Sequence, residues 1–150
     1  MYKRILVAVD GSQTSDRALD EAIKLAREGH SQLLLLHVSE DVSQVWIGSE
    51  WMAATPPMLS PEIFEEIGQG ILDHAAKKVR EAGLEFETRR VNDDGQRIGK
   101  VVAQQAQDWQ AELIVIGTHG RRGLDHFLLG SVAEGVMRAA PMPVLLVRGV

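Results

Sequence analysis

Short apolar runs alternate with amphipathic stretches from one end of this chain to the other, and that alternation restricts it to a parallel sheet joined by crossover helices. Five strand-like runs stand out: Arg4 to Val9, Gln32 to Val38, Leu84 to Val91, Leu113 to Ile116 and Val144 to Val147. After the first run, Ala18, Leu19, Ala22, Ile23, Leu25 and Ala26 form the apolar face of a helix, which Gly29 is expected to stop. A second helix is expected from about Pro61 to Ala82, with proline in its first turn, Gly83 at its end, and Gly68 and Gly70 weakening its middle. A third runs from about Gln96 to Trp109 and a fourth from Ser131 to Ala140, after which Pro141 and Pro143 deliver the last strand. The third strand alternates apolar with polar side chains more than the others, which places it at a sheet edge. Right-handed crossovers then favour an α/β fold: a doubly wound five-stranded parallel sheet, order 3-2-1-4-5, with helices on both faces.

At 150 residues the chain is expected to form a single domain spanning residues 1–150. A formal net charge of −5 argues against broad binding to nucleic acid or to an anionic membrane, so any anion site must be local. The chain has no cysteine, which removes disulfides, thiol nucleophiles and thiolate metal sites. No signal-peptide pattern precedes the first strand and no apolar run approaches the ~20 residues of a membrane span. The expected location is therefore the cytoplasm.

Chemistry concentrates between the fourth strand and the fourth helix. There Gly117, Gly120, Gly130 and Ser131 fall in the spacing G-x-x-G-x9-G-S. Glycine lets bare backbone approach a ligand, and the free N–H groups of a helix N-terminus attract anions. In a nucleotide reading the N–H groups of Gly130, Ser131 and Val132 face phosphates, the Ser131 hydroxyl adds a donor, and Arg121 with Arg122 adds charge. The alternative is a glycine-rich turn with Ser131 as an ordinary helix cap. In the expected strand order Asp10, at the end of the first strand, faces Gly117 across the same crevice. Asp10 has its own local alternative, since Asp-Gly-Ser after a strand is common helix-entry chemistry. His119 lies within the loop, where it could approach phosphate or rest at the surface.

Competing motifs fail. The run Gly95 to Val101 resembles a P-loop but has one residue too few between its glycines and lacks the hydroxyl residue that holds magnesium. The histidines at 30, 37, 74, 119 and 126 have no spacing typical of a metal site.

The segments Val7 to Ser12, Gly117 to Gly120, Leu129 to Ala133 and Pro143 to Val147 together resemble the universal stress protein family, and the likeness spans essentially the whole chain. The G-x-x-G-x9-G-[S/T] pattern marks that family's ATP-binding members. Carried over by position, the resemblance implies Ala8, Val9 and Asp10 around the adenosine and Val38 near the adenine. It implies Gly117, Gly120, Gly130, Ser131 and Val132 around the ribose and phosphates. Some members have proline where Ala8 stands. The implied cofactor is ATP, with magnesium bridging the phosphates although no carboxylate of the motif is an evident ligand. Val144 to Val147 should form an edge strand, and resembling proteins pair this strand across a two-fold axis, so a homodimer is expected. The function implied is a nucleotide-dependent regulator in stress response, acting on an unidentified protein partner. A slow ATPase using His119, Asp125 or His126, and a dimeric scaffold without nucleotide, are the alternatives. The long connection from Glu40 to Ser60, with Trp46, Trp51, Met52 and Met58, reads either as a functional loop over the nucleotide or a partner, or as one tucked onto its own domain.

Overall fold

The computed structural model describes residues 1–40, 60–119 and 129–149. Its elements follow in the order β1 (Arg4–Ala8), α1 (Gln13–Gly29), β2 (Gln32–Ser39), α2 (Pro61–Glu81), β3 (Phe86–Asn92), α3 (Ile98–Asp108), β4 (Leu113–Gly117), α4 (Ser131–Ala139) and β5 (Val144–Val147). The strands form one sheet in the order β3-β2-β1-β4-β5, and every pairing is parallel. β1 thus lies between β2 and β4, with Leu6 beside Leu34 on one side and Ile114 on the other. The strand order changes direction at β1, which leaves a crevice outside the carboxyl ends of β1 and β4.

Side chains alternate across the sheet and bury two cores. On one face Ile5, Val7, Val9, Leu33 and Leu35 pack against α1 and α2 through Ala18, Leu19, Ala22, Leu72 and Val79. On the other, Leu6, Leu34, Leu36, Ile114 and Ile116 pack against α3 and α4 through Val102, Ala106 and Val136. Complete burial of a Leu or Ile stabilises by roughly 1.5–3 kcal/mol, so the two layers hold the central strands in fixed register. The amino edge of the sheet is tied separately. Arg4 donates Nε–H to the Trp109 carbonyl at 2.9 Å and stacks 4.1 Å from the centre of the indole.

Several glycines act differently from the sequence expectation. Gly29 remains helical, and it is His30 that turns left-handed at φ 52° to end α1, donating its N–H to the Ala26 carbonyl. A Cβ on Gly29 would crowd the neighbouring chain, at 2.9 Å from Ser31 Oγ and 3.3 Å from the Tyr2 carbonyl oxygen. Gly68 accommodates the His37 ring, which a Cβ would meet at 2.9 Å, whereas Gly70 has nothing within 4 Å. Gly99, in the P-loop-like run, is where α3 crosses α4: a Cβ would come within 2.7 Å of the Gly135 backbone. Gly83 closes α2 as expected, at φ 72°. β3 begins at Phe86, two residues later than the apolar pattern suggests, because Leu84 is drawn back to donate its N–H to the Val79 carbonyl at 3.4 Å.

Candidate functional site

The turn from β1 into α1 is built by three local hydrogen bonds. Asp10 Oδ1 accepts from the Ser12 N–H at 2.9 Å, and the Asp10 N–H donates to Ser15 Oγ at 3.1 Å. Ser12 Oγ then caps α1 by accepting from the Ser15 N–H at 3.1 Å. Gly11 supplies the positive φ of 82° that the turn requires. The local role of Asp10 is therefore real. Its Oδ1 serves the turn, and the residue stays partly exposed at the crevice.

Across the crevice, β4 ends at Gly117, which lets the strand press against α1: a Cβ there would lie 2.7 Å from Thr14 Cγ2 and 3.1 Å from the Thr14 backbone. Thr118 is next and is locked by its own main chain. Its N–H donates to Val147 O at 2.9 Å and its carbonyl accepts from the Gly130 N–H at 2.7 Å. That second bond brings the start of α4 to the end of β4, and it corrects one expectation: the Gly130 N–H is spent on the Thr118 carbonyl, which leaves the N–H groups of Ser131 and Val132 to face a ligand. Gly130 is the N-cap at φ −63°, so its value is spatial rather than conformational, since a Cβ would meet Thr118 O at 2.8 Å.

Ser131 is the first residue of the helix, and no side chain caps α4. The alternative of Ser131 as an ordinary cap does not hold: the cap position falls one residue earlier, on a glycine with no side chain to offer. Among the described residues, the N–H groups that follow Gly130 at the start of α4 therefore have neither an intrahelical acceptor nor a side-chain cap, and the helix dipole adds positive potential there.

Ala8, Val38 and Val132 are half-buried and all pack onto the core of the α3 and α4 face. They stand at the ends of β1 and β2 and in the first turn of α4, giving the crevice an apolar flank on that face. Val9 points to the opposite core and is buried. Its N–H donates to Leu36 O at 2.9 Å and its carbonyl accepts from His37 Nδ1–H at 2.8 Å, so Val9 offers little beyond shape. Gly120 and Arg121, like Asp125, His126 and the 41–59 connection, lie outside the described residues.

Thr118 is the residue that the sequence pattern alone does not single out. It occupies a variable position of the motif, yet it is only 7% exposed and fastens β5, α4 and the His119 ring, with its Oγ1 3.0 Å from His119 Nδ1. A polar residue directly following an apolar strand end was the available signal. A cavity of about 390 Å³ lies on the α1 and α2 side of the β1 end, lined in part by Val9, Gly11, Ser15, Ile67, Gly70 and Ile71. At its rim His74 Nε2 is 3.6 Å from Asp16 Oδ2.

A doubly wound parallel sheet whose first and fourth strands meet an uncapped helix N-terminus at the switch point defines an α/β protein with a ligand crevice at its carboxyl edge. The model of the universal stress protein family matches residues 1–148. Universal stress protein YxiE of Bacillus subtilis is 34% identical over 151 residues, covering 99% of this chain and 100% of the relative. A universal stress family protein structure from Burkholderia pseudomallei is 32% identical with a TM-score of 0.76, covering 97% of this chain and 96% of its own. The universal stress protein from Archaeoglobus fulgidus, solved in complex with dAMP, is 25% identical with a TM-score of 0.69, covering 97% and 98%. The chain belongs to the universal stress protein family.

Proposed function

We propose that this chain, acting as one domain over residues 1–150, binds ATP in the crevice between β1 and β4 and serves as a nucleotide-dependent regulator in the cytoplasm. The observation that carries the reading is where the fold leaves polar groups unpaired. Among the described residues, the buried side-chain polar atoms without a hydrogen-bond partner are Ser39 Oγ, Trp109 Nε1 and His119 Nε2. Ser39 and His119 stand at the carboxyl ends of β2 and β4, on either side of the end of β1. Buried orphans cost about 1–3 kcal/mol each, and a polar ligand at this edge would offset that cost.

The class of ligand follows from the surroundings. Uncapped N–H groups at the start of α4 suit phosphate, and the apolar flank of Ala8, Val38 and Val132 suits an aromatic base. The dAMP complex of the Archaeoglobus fulgidus relative supports an adenine nucleotide. In this reading Asp10 accepts from ribose or base while keeping its turn, Gly117 and Gly120 contact the ribose and phosphates, and Arg121 donates to the terminal phosphate. Magnesium would be held through the phosphates, since among the described residues no group of three or more histidines and carboxylates is gathered for a metal.

Two molecules are proposed to pair through β5, which lies at the sheet edge with Leu145 37% exposed. ATP would bias the surface offered to a protein partner through its differential affinity for two arrangements. Mass spectrometry of nucleotide released by denaturing the purified protein tests the ligand. Adenine nucleotide in near-stoichiometric amount supports the reading, and its absence, together with a flat calorimetric titration with ATP, overturns it.

A further inference from the structure

We propose that His119 is a phosphate ligand in the crevice, held by Thr118 with its Nε2–H presented as donor. The inference rests on the nucleotide reading above and adds to it a residue at a variable position of the glycine motif. Three observations on the histidine converge. Its Nε2 is buried and has no hydrogen-bond partner, while its Nδ1 lies 3.0 Å from Thr118 Oγ1. Its Cα is 3.5 Å from where a Cβ on Gly130 would stand, which puts the residue beside the uncapped start of α4. Thr118 is immobilised at its N–H, by Val147 O, and at its carbonyl, by the Gly130 N–H, so its hydroxyl is a fixed neighbour for the ring.

The tautomer decides what the ring offers. A neutral imidazole has one donor and one acceptor nitrogen. If the Thr118 hydroxyl donates to Nδ1, the ring proton must sit on Nε2, and the unpaired nitrogen is then a donor in need of an acceptor. Phosphate oxygens are acceptors only, whereas the N–H groups of α4 cannot serve, being donors themselves. In that tautomer the two sets of donors require the same partner. A hydrogen bond from a fixed, desolvated donor to a charged acceptor is among the stronger kinds, on the order of tenfold or more in affinity.

The experiment compares ATP with adenosine on the full chain, for the wild type, His119→Ala and His119→Gln. Calorimetry follows ATP, and chemical-shift titration follows adenosine, whose binding is weaker. The expectation is that His119→Ala weakens ATP by about tenfold or more and adenosine by less than about twofold. His119→Gln should recover most of the loss, because its amide nitrogen reaches nearly the position of Nε2. Nitrogen-15 spectra of wild-type imidazole should show a protonated Nε2 and an unprotonated Nδ1, with the Nε2 resonance moving when ATP is added and not when adenosine is. Equal losses for both ligands, no loss for either, or a protonated Nδ1 with bare Nε2 would overturn the proposal. If the alanine variant does not fold, the glutamine variant and the wild-type spectra decide. A wild type that binds neither ligand refutes the nucleotide reading itself, an outcome separate from a wild type that binds ATP regardless of residue 119.

Discussion

Replacing Gly99 and Gly70 by alanine, one at a time, should move stability in opposite directions, because the two glycines differ in what surrounds them. Both are helical, so each alanine gains about 0.5–1 kcal/mol from reduced backbone freedom in the unfolded chain and better helix propensity. At Gly70 nothing lies within 4 Å of the new Cβ, and the gain should appear in full. At Gly99 the Cβ would lie 2.7 Å from the Gly135 Cα and carbonyl carbon and 2.8 Å from Val136 N. These are backbone atoms of a packed helix, so relief requires α3 and α4 to separate by a few tenths of an ångström or more. Overpacking of that kind costs about 1–3 kcal/mol, leaving Gly99→Ala destabilised by about 1–2 kcal/mol after the propensity gain. The variants should then differ by about 1.5–3 kcal/mol, or several degrees in Tm for a chain of this size. Urea unfolding with a common m-value is the assay. A Gly99→Ala protein as stable as the wild type, or a destabilised Gly70→Ala, would refute the reasoning.

At Gly130 a Cβ would meet Thr118 O at 2.8 Å, so Gly130→Val should weaken ATP by at least about tenfold while far-ultraviolet circular dichroism stays near wild type. Unchanged affinity in calorimetry would detach this contact from binding. Ser12→Ala removes the acceptor for the Ser15 N–H and should lower stability by about 1 kcal/mol in the same urea assay. Leu145→Lys places a charge on the proposed pairing strand, and sedimentation velocity should show a shift from dimer to monomer; a dimer as tight as the wild type's would move the interface elsewhere.

Strand order was readable because the pattern of buried strands and amphipathic helices admits few right-handed parallel arrangements, and the position of β5 at an edge followed from it. The motif glycines were readable as a group, but their individual reasons were not. Gly117 and Gly130 serve contacts with Thr14 and Thr118, and Gly99 serves one with Gly135, and these contacts join segments that sequence spacing does not relate. Gly29 illustrates the opposite error: a glycine near a helix end suggests the left-handed position, yet it stays helical beside Ser31 and the Tyr2 carbonyl, and His30 takes the left-handed backbone instead. The alternative of Ser131 as a cap misses by one residue, since Gly130 stands at the cap with its N–H on the Thr118 carbonyl, a tertiary contact that no local pattern encodes. Asp10 was legible in its turn role, because Asp-Gly-Ser chemistry is local.

An ATP titration of the nitrogen-15-labelled chain, read amide by amide, is the most direct examination of the crevice. The amides of Gly117, Gly130, Ser131 and Val132 should shift together and saturate at one ligand per chain, with Asp10 following them. Shifts confined to Gly70 and His74 on the opposite face, or no shifts at saturating ATP, would contradict the assignment.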